Sequence, residues 1–167
     1  MSNETNTVTS TDANIENKAK KPSKPIQLSH LAMASEDPDK SREFFENVLG
    51  WSVAGVVASR NANGFYMTDG RVNLAILKFR NGPAAGKEFP QGYVGLHHVG
   101  FQCDDIEEMV NSFKENGYQP RHDVNLAQGL GKNPAKDNAE FKMEGPENIM
   151  VDISERGWVG TKTYKQL

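Results

Sequence analysis

A single cysteine, Cys103, in 167 residues leaves no intramolecular disulfide to hold the fold, which suits a reducing cytosol better than an oxidising compartment. No apolar run approaches the roughly 18–20 residues that a membrane-crossing helix needs, which argues against a membrane as partner. A Gly-rich phosphate loop, a Ser-His-Asp arrangement and a paired-cysteine zinc motif are all missing. Positive charge is not in excess either. There are 19 basic and 22 acidic residues, a net charge of −3. Residues 26–167 alone hold 15 basic against 19 acidic, a net −4. That balance argues against nucleic acid, whose phosphates call for a basic face. Cys103 lies among apolar residues and reads as a buried, inert thiol.

Residues 1–25 are rich in Ser, Thr, Asn and Lys and nearly devoid of apolar side chains. Such a segment cannot bury enough surface to offset its ordering entropy, so it is expected to be a disordered polar tail. It has no apolar h-region for a secretory signal, and Glu4, Asp12 and Glu16 argue against a transit peptide. The folded part is expected over 26–160, with 161–167 as a C-terminal tail.

Leu28, Leu31 and Met33, in a short span between Pro25 and Pro38, suit a buried strand. A helix follows, with Asp37 as N-cap, Pro38 in its first turn and Gly50 as stop. Phe44, Phe45, Val48 and Leu49 form its expected core stripe. Three strands come next, in WSVAGVVA, GFYMTD and RVNLAILKF, with Asn63-Gly64 and Asp69-Gly70 as turns. From Gly95 the order restarts. GLHHVGFQC is a strand, and a helix capped by Asp104 or Asp105 buries Ile106, Met109, Val110 and Phe113. A loop is expected over about 119–138, then closing strands in AEFKMEG and NIMVDIS, with Gly145-Pro146 as the turn.

The two openings superimpose at a constant offset of 68, His30 to Asp37 upon His98 to Asp105, and both helices run to a Gly-aromatic pair, Gly50-Trp51 and Gly117-Tyr118. A histidine, an acidic cap and a Gly-aromatic stop recurring in order argue for one βαβββ unit used twice.

On the segments LSHLAMASEDPDKSREFFENVLGW, GLHHVGFQCDDIEEMVNSFKENG and GPENIMVDISERGW, the sequence resembles the vicinal oxygen chelate superfamily, which includes glyoxalase I, extradiol dioxygenases, methylmalonyl-CoA epimerase and bleomycin-resistance proteins. The resemblance covers about residues 27–158. It implies an α+β fold in which two βαβββ modules, about 26–83 and 93–158, form an eight-stranded, cup-shaped mixed sheet with helices packed outside. It also implies one divalent metal ion (Fe(II), Zn, Mn, Ni or Co) in the cup, chelating neighbouring oxygens of a small-molecule substrate. His30 and His98 match the first-strand ligands of the two modules and Asp152 the acidic ligand of the last strand. The remaining ligand position should fall within VNLAILKF, which holds no carboxylate or imidazole; Asn73 is the only polar candidate deep in that strand, and an amide is a poor ligand for transition metals.

His97 and His98 are adjacent, so in a regular strand only one of them enters the pocket. The repeat selects His98 and leaves His97 facing outward or at a module contact. No catalytic base is identified: His122, Asp123, Glu140 and Glu144 border the expected cup without a signature, and Arg71 and Arg121 are candidates to clamp an anion. Trp51 and Trp158 are expected to pack. The expected activity is a metal-dependent glyoxalase-type lyase or isomerase in a cytoplasmic homodimer. The alternatives are an Fe(II) extradiol-type dioxygenase and a metal-free, bleomycin-resistance-like binding protein.

Overall fold

A computed structural model describes residues 22, 24–135 and 140–166; the expected N-terminal tail lies almost wholly outside them. The first half is a complete βαβββ unit: β1 (Gln27–Ala34), α1 (Pro38–Asn47), β2 (Ser52–Ala58), β3 (Ala62–Thr68) and β4 (Asn73–Phe79). A short helix α2 (Gly82–Ala85) leads to β5 (Gly95–Gln102), α3 (Ile106–Glu115), α4 (His122–Gln128), β6 (Phe141–Glu144) and β7 (Met150–Ser154). The strands form one open mixed sheet in the order β2-β3-β4-β1-β5-β7-β6. β1 pairs parallel to β4 and β5 parallel to β7, while β1 and β5 join the halves antiparallel. The architecture is α+β, as expected.

Among the described residues the sheet has seven strands rather than eight. Within the 119–138 segment, expected as a loop, the chain forms α4, stopped by Gly129 in the left-handed region at φ 83. Just before α4 the chain still pairs with β6, the Arg121 amide donating to the Lys142 carbonyl and the Glu144 amide to the Gln119 carbonyl, both at 2.9 Å. The Asn125 side chain adds to this, donating to the Lys142 carbonyl at 2.9 Å and accepting from the Lys142 amide at 2.8 Å.

Both long helices start as read. Asp37 and Asp105 each accept from the amide three residues on, at 3.0 and 2.9 Å, satisfying a free N–H of the first turn. α3 buries Ile106, Met109 and Val110 against Phe141, Met143, Val151 and Ile153. From α1 only Phe45 reaches the core, beside Met67, Leu74, Ile76 and Trp51. Phe44, Val48 and Leu49, expected in that core, are exposed by half or more. Asn63-Gly64 is likewise not a turn but part of β3. The chain reverses at Ser59–Asn61, where Ser59 Oγ accepts from the Ala62 amide. Gly64 is required in the strand, since a Cβ there would lie 1.9 Å from the Ile76 carbonyl oxygen.

Candidate metal centre

Register places one row of residues across five strands: Asn73 on β4, His30 on β1, Gly100 on β5, Asp152 on β7 and Lys142 on β6. Opposed residues in a sheet point to the same face, so the row projects together to one side. Gly100 leaves a gap in it. A Cβ at that position would lie 2.7 Å from His30 Cβ and 2.9 Å from the Trp158 ring. Into this gap His30 leans, stacked on Trp158 with centroids 4.6 Å apart and planes 4° from parallel. His98, one register step along β5, meets it there, the two Nε2 atoms 3.0 Å apart. The three residues expected as ligands, His30, His98 and Asp152, thus converge with Glu140, their ligand atoms all within 4.8 Å of one another.

Hydrogen bonds around the rings assign their protons. Asn73 Nδ2 donates to the Val159 carbonyl at 2.8 Å, which turns its Oδ1 toward His30 Nδ1, also at 2.8 Å; His30 therefore carries its proton on Nδ1. The Ala85 carbonyl can only accept, so His97 donates to it from Nε2 at 2.8 Å. A neutral His97 then accepts at Nδ1 from His98 Nδ1, at 2.7 Å. The rings are neutral. Burial, then the neighbouring His98, holds the His30 pKa well below its ordinary value, and burial, then the Lys142 charge, does the same for His98. Burial and then His98 push His97 down to about 3. Neutral rings protonated at Nδ1 leave lone pairs on both Nε2 atoms, aimed at one point. Asp152 Oδ2 lies 3.1 Å from His98 Nε2, and Asp152 Oδ1 is buried without a hydrogen-bond partner. Converging lone pairs and an orphaned carboxylate oxygen repel one another unless a cation sits among them. Two imidazoles whose other N–H is already engaged, beside carboxylates, form a donor set that fits a divalent metal.

Several expectations about the surroundings change. His97 does not face outward. A register shift between Ala32 and Met33 opposite β5 marks a β-bulge, which breaks the strict alternation and turns His97 to the same side as His98, between Phe79 and Phe89. Asn73 spends its oxygen on His30 rather than serving as a fourth donor. Lys142 was missed altogether, because an isolated Lys in a short alternating strand reads as solvent-facing. It is fully buried, donating from Nζ to Asp152 Oδ2 at 2.6 Å and pairing with Glu140 Oε2 at 3.0 Å. Burial alone would lower its pKa, but Asp152 and Glu140 outweigh that and hold it above its ordinary value. Glu140, unremarkable among the acids of the sequence, keeps 29% of its side chain exposed and is the accessible member of the cluster.

The other residues singled out lie apart. His122, Asp123, Glu144 and Arg71 are exposed, and Arg121 is engaged by Glu88 and by Asp123. The segment after β7 covers the site: besides Trp158, the Gly160 carbonyl accepts from Thr68 Oγ1 at 2.9 Å, and the Thr163 carbonyl accepts from Gln102 at 3.0 Å. Residues 161–166, set apart as a tail in the sequence, thus pack against the sheet. Among the described residues no helix is long and apolar enough to cross a membrane.

Comparison with known proteins supplies the frame. Bovine (Bos taurus) mitochondrial methylmalonyl-CoA epimerase is 30% identical over 93 residues, 53% of this chain and 53% of that protein, so the match spans about half of the relative's length. The uncharacterised protein YwbC of Bacillus subtilis is 25% identical over 139 residues, covering 78% of this chain and 98% of the other. The solved structure of Streptomyces coelicolor methylmalonyl-CoA epimerase in complex with 2-nitronate-propionyl-CoA shares the fold, with a TM-score of 0.59 at 17% identity, over 76% of this chain and 94% of that one. Residues 27–153 match the description "Glyoxalase/Bleomycin resistance protein/Dioxygenase superfamily", and the chain belongs to that superfamily.

Proposed function

We propose that this chain is a metal-dependent lyase or isomerase of the glyoxalase type, moving a proton next to a carbonyl in a small oxygenated metabolite. The observation that carries the reading is the pair of facing lone pairs on His30 and His98 beside Asp152. In it, His30, His98 and Asp152 hold one divalent cation. That cation, when bound, supplies Lewis-acid stabilisation of the negative charge that develops on a substrate oxygen. Asn73 and His97 keep the two rings in their ligating tautomers. Trp158 and the covering segment exclude water from the His30 side. Glu140, the accessible carboxylate, takes the proton from carbon, and the Lys142 ammonium, 3.0 Å from its Oε2, fixes its place beside the cluster. Names borne by relatives support the isomerase half of the reading, since the bovine and Streptomyces proteins are epimerases.

The test is hydrogen exchange at carbon. Protein stripped by chelator and then reloaded with Zn, Mn, Co or Ni is incubated in D2O with thiol adducts of 2-oxoaldehydes and with 2-substituted acyl thioesters. Metal-dependent deuterium incorporation that Glu140→Gln abolishes is the expected result; no exchange with any metal would overturn the reading. Two histidines and one carboxylate are also the donor set of non-haem Fe(II) oxygenases. Oxygen uptake by Fe(II)-loaded protein on a catechol, with no exchange, would favour that chemistry. For assembly we infer a homodimer, on the exposed Phe44 of α1, the exposed Val48 and Leu49 just after it, and the edge strand β2 with its exposed Val53 and Val56.

A further inference from the structure

A lysine has no evident place in a pocket built for a metal, yet Lys142 is buried more completely than His98 and lies at the end of the same cross-sheet row. Its position is fixed by backbone as well as by charge. Asn125 grips both the amide and the carbonyl of Lys142, and β6 pairs it directly with Asp152. The ammonium therefore has little room to leave, and a charge buried this deeply is retained only when paired. It is paired twice, with Asp152 and with Glu140.

We propose that Lys142 is the cluster's own tethered cation: by occupying the carboxylate side of the site it lowers the affinity for a divalent metal and keeps the metal-free protein folded. This rests on the reading of His30, His98 and Asp152 as metal donors.

The charge count makes the argument. With neutral imidazoles, the two carboxylates and the ammonium give the empty site a net −1, whereas without the lysine it would be −2. A metal must therefore share Asp152 with a positive charge already 2.6 Å from its Oδ2. A unit charge about 5 Å from a bound divalent cation, at an effective dielectric of roughly 20, weakens binding by roughly 10⁵-fold before any relaxation. Relaxation and residual water reduce that, so a shift of about tenfold or more is expected. The same count makes the metal-free state tolerable, because Lys142 leaves one buried negative charge unbalanced instead of two.

The experiment compares wild type with Lys142→Met, an uncharged side chain of similar length, titrating Zn and Co by calorimetry or chelator competition and recording thermal unfolding with and without metal. Lys142→Met should bind about tenfold or more tightly, unfold at a lower temperature when metal-free, and regain stability when loaded. Equal or weaker metal binding by Lys142→Met would overturn the inference while leaving the metal-dependent function standing. Binding by Lys142→Met but not by wild type would support the inference and refute that function. Binding by neither would overturn both. Should Lys142→Met fail to fold, the same pair is compared within Glu140→Gln, where one carboxylate fewer needs balancing. Removal of the lysine must tighten metal binding there too.

Discussion

The Nε2 atoms of His30 and His98 face each other at 3.0 Å with no proton to share, because each ring has committed its hydrogen to a partner on the Nδ1 side. The tautomers trace back to groups with no choice of role: the Val159 carbonyl, which turns the Asn73 amide, and the Ala85 carbonyl, which turns His97. Backbone carbonyls two contacts away thus decide what the centre of the site can bind.

Long-range 1H–15N spectra of the metal-free protein near neutral pH should show His30 and His98 each with a protonated Nδ1 and a bare Nε2. A proton on either Nε2 would dissolve the argument for a cation at that point.

Replacing Asn73 removes the acceptor that holds His30. Asn73→Leu keeps the volume but frees the ring to rotate or change tautomer. Outer-shell losses of this kind cost about 10- to 100-fold in metal affinity, and calorimetric titration should find a loss in that range. Unchanged affinity would mean that His30 is held by the Trp158 stack alone.

Gly100 is the gap in the row. Gly100→Ala would put a methyl 2.7 Å from His30 Cβ and 2.8 Å from its Cδ2, with the Trp158 ring at 2.9 Å. Overpacking of this kind costs about 1–3 kcal/mol. Chemical denaturation should show that loss together with weaker metal binding; an equally stable variant would mean that the row relaxes more easily than its contacts imply.

Cys103 supplies a pH test away from the site. Burial, then the charges of Glu155 and Asp105, pushes its thiol up to about 12. An unfolded thiol ionises near 8.5. Below that both states are protonated and the group adds no pH dependence. Between about 8.5 and 12 only the unfolded chain loses the proton, so stability falls as pH rises. Denaturation midpoints measured from pH 8 to 10.5 should fall more steeply in wild type than in Cys103→Ala, and the native thiol should resist a thiol reagent at pH 8.

The repeat singled out His30 and His98, the family resemblance added Asp152, and the fold brings these three together with Glu140. What stayed hidden follows from features that composition does not carry. A β-bulge leaves no mark on the residues around it, so strict alternation sent His97 to the wrong face. The helix α4, within a stretch expected as loop, docks on β6 through Asn125, a contact visible only once Asn125 and Lys142 are neighbours. Lys142 itself reads as a surface residue because its two counter-charges, Glu140 and Asp152, become partners only when β6 pairs with β7. In α1 the apolar stripe delivers only Phe45 to the sheet, and Phe44, Val48 and Leu49 stay exposed.

Equilibrium metal content measures directly whether His30, His98 and Asp152 hold a divalent cation between them. Wild type and His98→Ala are dialysed against the same buffered excess of Zn or Co, and bound metal is counted by elemental analysis while cooperative unfolding is confirmed for both. One equivalent in wild type and none in His98→Ala is the predicted outcome. Equal metal content in the two proteins, or none in either, would contradict it.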